Sequence, residues 1–133
     1  MFGNYNTFYP ADEHYSSAAF ENAKQLIGTV RSLVNFKATN TGAAIVWLAL
    51  WDDKPVTNPA TDGNNDHVLL DLVPLSTPGA FQTSTPHGQD LRLGLWVGAY
   101  TTAALALAGG APDAGNVMFY RADYSAAKVL PQV

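Results

Sequence analysis

The chain contains no cysteine, so no disulfide and no thiolate metal site can contribute to its fold. It is also poor in charge. Asp, Glu, Lys and Arg make up 14% of its 133 residues, against about 25% in an average soluble domain. The surface is therefore either unusually neutral or partly hidden in contacts. Glutamate occurs only at Glu13 and Glu21. Only Glu21 lies in the strand-forming region, at its very edge, so a glycosidase carboxylate pair there would need two aspartates, and the adjacent Asp52 and Asp53 point to opposite faces of an extended chain. The 7 Lys and Arg are scattered from Lys24 to Lys128, and the net charge is −4. Nucleic-acid binding needs clustered cations to displace counterions, and none are clustered here. No apolar run approaches the roughly 20 residues of a membrane-spanning helix. No cation precedes Lys24 and no apolar segment opens the chain, so no signal peptide is expected. The composition predicts no nucleic-acid and no membrane partner.

Chemical motifs are equally sparse. Asp62, Asn64 and Asp66 alternate like the start of a calcium loop, but the sixth and twelfth positions hold His67 and Val73 instead of the Gly and Glu required there. His14, His67 and His87 are isolated in polar segments, with no pair at metal-ligand spacing. Ser84, His87 and Asp90 lie close together in sequence, whereas triad members come from separate elements. No nucleophile elbow is present, and Ala108-Gly-Gly-Ala lacks the Gly-Lys-Ser/Thr ending of a phosphate loop. No catalytic, cofactor-binding or metal-binding residue is expected, and the chain is read as a non-enzyme.

What is present is strand pattern. At this length the chain forms one domain with one real core. Val30, Ser32, Val34, Phe36 and Ala38 make one stripe of an alternating run, and Arg31, Leu33, Asn35 and Lys37 make the other. Asn40-Thr-Gly42 reads as a hairpin turn into Ala43–Trp51. That second run is apolar on both faces: Ile45, Trp47, Ala49 and Trp51 share one parity, Val46, Leu48 and Leu50 the other. One face makes the core. The other must meet a second layer, the N-terminal segment or a partner. Val68–Val73 is a short strand ended by Pro74. Residues 78–88 are turn-rich around Phe81. Residues 91–100 alternate again, with Gly94 and Gly98 leaving room for a close neighbour. Residues 101–108 read as a further strand, with a helix as the alternative, and 117–124 as the last. Residues 16–28 allow a short helix, but a strand from near Ala23 is favoured. Short strands punctuated by Gly and Pro predict an all-β antiparallel sandwich of about eight strands, jelly-roll-like or immunoglobulin-like.

Residues 1–19 fit no period. Phe2, Tyr5, Phe8, Tyr9 and Tyr15 alternate irregularly with small and polar residues, unlike an aromatic-poor disordered tail. The expectation is an extended arm over 1–19 and a sandwich over 20–133. Phe2, Tyr5, Phe8, Tyr9, Trp47, Trp51 and Trp96 are the expected interface residues. The tryptophans could alternatively form a sugar-stacking platform, which makes a carbohydrate- or receptor-binding module the second reading.

The order of segments carries a resemblance. It runs from Glu21-Asn-Ala-Lys-Gln-Leu-Ile-Gly-Thr-Val30 through Ser32–Gly42 and Trp47-Leu-Ala-Leu-Trp-Asp52 to a Val-Pro step at 73–74. Gly94-Leu-Trp-Val-Gly-Ala-Tyr-Thr-Thr102 and Met118-Phe-Tyr-Arg-Ala-Asp-Tyr124 complete it. This resembles the small β-sandwich virion proteins of tailed bacteriophages that decorate capsids or sit at the neck and tail. The resemblance covers residues 20–125 and transfers no active-site residues. It implies a structural virion protein assembled in the host cytoplasm, a homo-oligomer that partners the major capsid protein or neck and tail proteins.

Overall fold

The computed structural model describes residues 13–28, 31–42, 44–53, 59–61, 67–76, 79–108, 110 and 118–125, without the side chains of residues 31, 61 and 84–88. The described residues form strands β1 (Glu13–Ser16), β2 (Lys24–Ile27), β3 (Arg31–Asn40), β4 (Val46–Asp52), β5 (Val68–Leu75), β6 (Gly79–Leu91), β7 (Leu95–Tyr100) and β8 (Met118–Ser125). A 3₁₀ turn at Pro59–Thr61 and one helix, α1 (Ala103–Ala108), accompany them.

Two antiparallel sheets pack face to face, in the orders β1-β8-β3-β6 and β2-β7-β4-β5. β1 pairs with β8, β2 with β7, β3 with β6 and β4 with β5. First meets last at every level, as in one long hairpin rolled up on itself. The sandwich is therefore a jelly roll, and the immunoglobulin alternative, with its different sheet composition, does not apply.

The main core lies between the sheets. Leu33, Phe36 and Ala38 of β3 and Met118, Tyr120 and Ala122 of β8 meet Val46, Leu48 and Leu50 of β4 and Leu95, Val97 and Ala99 of β7. The alternation of β4 and β8 in sequence produces this directly. In β3 it does not. The register shifts between Leu33 and Asn35 against both neighbours, a bulge at Val34 that reverses the parity. Leu33 consequently joins Phe36 and Ala38 in the core, so the expected Val30-to-Ala38 stripe is broken.

Further expectations change for physical reasons. β3 and β4 lie in different sheets and form no hairpin. Asn40, fully buried, holds the crossing instead. Its amide donates to the carbonyls of Ala44 at 3.0 Å, Leu75 at 3.4 Å and Ser76 at 3.2 Å, and its oxygen accepts from the Gly42 N–H at 2.9 Å. Pro74 does not end β5 but lies within it. β6 runs for 13 residues through Pro86. Both prolines sit on the outermost strands of their sheets, where a missing N–H breaks no ladder. The 91–100 run is split into β6 and β7 by a turn at Arg92–Gly94. Residues 103–108 are helical rather than a strand: alanine and leucine are strong helix formers, Thr102 Oγ1 accepts from the Leu105 N–H at 3.1 Å as an N-cap, and the Gly110 N–H closes the other end on the Leu105 carbonyl at 2.7 Å. Residues 13–16, expected within the arm, form β1, with Tyr15 packed against the core.

Asp52 organises the turn between β6 and β7. The residue is 3% exposed. It accepts from the backbone N–H groups of Arg92 at 2.8 Å, Leu93 at 2.9 Å and Gly94 at 3.2 Å. Three successive N–H groups around one anion form a nest. Gly94 has a φ of +140° and abuts the Ile27 carbonyl, so a Cβ there would collide with backbone.

Candidate interaction surfaces

The second apolar face of β4 meets a layer from the same chain. Ala49 and Trp51 of β4 and Trp96 and Tyr100 of β7 form a separate cluster with Ala106 of α1. Ala60, from the 3₁₀ turn, and Leu69 and Leu72 of β5 pack around it. Gly98 makes the cluster possible, since a Cβ there would lie 2.7 Å from the Trp96 ring and 3.2 Å from the Tyr100 ring. Of the three conditions expected for this face, the covering second layer is the one observed.

This arrangement fixes the positions of the expected interface residues. Trp51 is 4% and Trp96 1% exposed, so their rings are buried within the chain. His67 meets Trp51 edge-on at 5.3 Å. Trp47 is half-buried at the margin of the cluster, opposite Pro74 and Tyr100. Phe2, Tyr5, Phe8 and Tyr9 lie outside the described residues. So do Asp62, Asn64 and Asp66 and the side chains of Ser84 and His87, while the Asp90 carboxylate accepts from Ser32 Oγ at 3.1 Å. No group of three metal-ligating side chains occurs among the described residues.

The exposed apolar groups are different ones. α1 buries Ala106 against the sheet and turns Leu105 (39% exposed) and Leu107 (54% exposed) outward. This reverses the usual placement, in which the larger apolar side chain is buried. Ile45, just before β4, is exposed as well.

On the outer face of the first sheet, side chains stand in rows across the strands. Ser16, Arg121, Lys37 and Gln82 form one row, and Phe119, Thr39 and Ala80 the next. Lys37 and Arg121 are directly opposite each other, an arrangement that costs stability between like charges. Arg121 pairs with Asp123 at 3.0 Å along its own strand. Phe20 (51% exposed) lies on Phe119 (39% exposed), with ring centroids 4.4 Å apart. The Ser17 N–H donates to the Tyr120 carbonyl at 3.0 Å, and Glu21 and Met118 exchange backbone bonds at 3.0 and 2.9 Å. The segment carrying Phe20 is thus fixed to β8 on both sides of Phe119. Sequence reasoning missed this pair, because the sequence of residues 16–28 allows either a short helix or the lead into a strand, and neither reading places Phe20 on β8.

A polar cluster joins β1 to β2 at the edge of the sandwich. The hydroxyls of Tyr15 and Ser17 donate to Glu21 Oε1, the latter at 2.6 Å. Lys24 Nζ donates to Glu21 Oε2 and to the Tyr15 hydroxyl oxygen, each at 2.9 Å. Burial pushes the Tyr15 hydroxyl up, and the Glu21 hydrogen bond adds to this. Burial also works to raise Glu21, but the bonds from Ser17, Tyr15 and Lys24 outweigh it and hold the carboxyl below its ordinary 4.5. The bonds to Tyr15 and Glu21 raise Lys24. These bonds staple β1 to the start of β2. Lys24 also places a charge on the short edge strand β2, which discourages pairing with another chain.

No protein-family model, no curated protein and no solved structure matches this chain.

Proposed function

We propose that this chain is a non-catalytic structural subunit of a tailed-bacteriophage virion, docked on the capsid or on the neck and tail. The observation that carries the reading is α1. A helix that buries alanine and presents Leu105 and Leu107 leaves apolar surface for another protein to cover. About 25 cal/mol is gained per Å² of apolar area removed from water. Association entropy takes back much of that, and repeated copies on a lattice add avidity. The low content of charged side chains, 14%, and the segment order over 20–125 support the same reading. Jelly rolls serve viral coats, lectins and cupins alike, so the fold admits this function without selecting it. The sugar-stacking reading needs open indole faces and gains nothing from Trp51 and Trp96, which are buried.

The test is quantitative mass spectrometry of gradient-purified particles from the source that encodes the chain. The proposal expects a fixed copy number per particle. Loss of the chain on purification, with the capsid and tail proteins retained, overturns it.

A further inference from the structure

The geometry points to the outer face of the first sheet as a docking surface for an extended acidic protein segment, one with a carboxylate side chain two positions from an apolar one. This deepens the docking reading above and rests on it, by naming a face and a partner chemistry.

Three observations combine. First, Phe20 and Phe119 form an exposed aromatic pair whose backbone is fixed by hydrogen bonds from Ser17, Glu21 and Met118. An aromatic group already ordered before binding loses little entropy on docking, and such groups dominate interface energetics.

Second, Lys37 and Arg121 stand opposite each other one row away. They are two of only seven cations in a chain of net charge −4. Asp123 neutralises Arg121 through an exposed pair, which is weak. The Lys37 side chain makes no hydrogen bond or ion pair among the described residues. A carboxylate set between the two cations would relieve their mutual repulsion. The amides of Asn35 and Gln82 flank the same shallow depression and supply further donors.

Third, the spacing fits an extended chain. Phe119 and Arg121 are alternate residues of β8 on one face, so their side chains stand about 7 Å apart at the strand rise of about 3.3 Å per residue. A segment laid along β8 with an acidic side chain at one position and an apolar one two positions on meets both features at once. A second copy of this chain is a poorer fit, because two-fold pairing of this face would bring the same cations together.

Selection of a displayed random twelve-residue peptide library on the immobilised full chain tests this without any particle. The expected consensus pairs Asp or Glu with an aromatic or aliphatic residue two positions away. Titration of the selected peptide should show binding about tenfold weaker for Lys37→Glu and for Phe20→Ser, the loss of one hot-spot contact, with melting temperatures unchanged and affinity falling as salt rises. A consensus without acid, no enrichment, or affinity unchanged by both variants overturns the inference. Binding to a sulfated or sialylated glycan array that is lost in Lys37→Glu would assign the face to anionic sugar, and self-association abolished by the same variant would assign it to a second copy. Either result rejects a peptide partner. Should the peptide selection fail while the chain is still found in particles at fixed copy number, this face is wrong and the virion reading stands. Peptide binding by a chain absent from particles gives the reverse.

Discussion

Removing the Asp52 carboxylate should destabilise the jelly roll, because one buried side chain serves the whole turn between β6 and β7. Asp52→Ala takes the acceptor from three backbone N–H groups at 2.8 to 3.2 Å. A hydrogen bond to a charged group contributes about 1.5–3 kcal/mol. Arg92 is exposed and Leu93 half-buried, so water replaces part of what they lose. Gly94 is buried and cannot be rescued in that way. About 1 kcal/mol from each position gives a loss of about 3 kcal/mol. A domain of this size loses about 10 °C in melting temperature for that change. Asp52→Asn separates charge from shape. Its amide oxygen can still accept from Leu93 and Gly94, but its NH₂ then faces the Arg92 N–H, and about 2 kcal/mol should be lost. Urea titrations of the three proteins, followed by far-UV circular dichroism, measure both differences. The reasoning fails if Asp52→Ala stays within about 1 kcal/mol of the parent, since three bonds of even modest strength exceed that.

Other sites yield sharper contrasts. Asn40→Asp exchanges an amide that donates to three carbonyls for an anion facing them, and thermal melts should show a loss of about 3–5 kcal/mol, as for an uncompensated buried charge. Tyr100 and Tyr120 carry buried hydroxyls with no hydrogen-bond partner among the described residues, so Tyr100→Phe and Tyr120→Phe should leave stability unchanged or raise it by about 1 kcal/mol; a loss greater than that in urea titration would show a hidden partner. Burial raises Tyr120 and pushes Tyr100 up to about 12. Both groups then hold their protons more tightly folded than unfolded, and stability should fall as pH rises above 10. Glu21 is held below its ordinary 4.5, so its contribution is present above pH 4.5 and is lost as pH drops through the folded value. Glu21→Gln should flatten that acid limb of a stability-versus-pH curve, and an unchanged limb would reject the staple.

Much of the sandwich is legible in the chain because burial writes a period of two into β4 and β8. Val46, Leu48 and Leu50 face the main core as their alternation requires, and so do Met118, Tyr120 and Ala122. What is illegible depends on partners distant in sequence. The bulge at Val34 is set by how β6 and β8 pair with β3. The separation of β3 and β4 into two sheets depends on a buried asparagine that reads locally as a turn residue. α1 has no apolar period, and its signals were Thr102 as a cap and Gly109-Gly110 as a stop. The two-sided apolarity of β4 is visible in sequence, but its cover includes Ala106 of α1, more than fifty positions later in the chain. For the same reason the tryptophans suggest an interface, whereas the large apolar side chains exposed among the described residues are Phe20, Ile45, Val68, Leu105, Leu107 and Phe119.

Oxidative footprinting of the chain, free and within purified particles, tests the central claim most directly. Phe20 and Phe119 or Leu105 and Leu107 should become protected on the particle, while Trp51 and Trp96 stay unreactive in both states. Tryptophans that react in the free chain and are shielded only in the particle, with Phe20, Phe119, Leu105 and Leu107 unchanged, would contradict it.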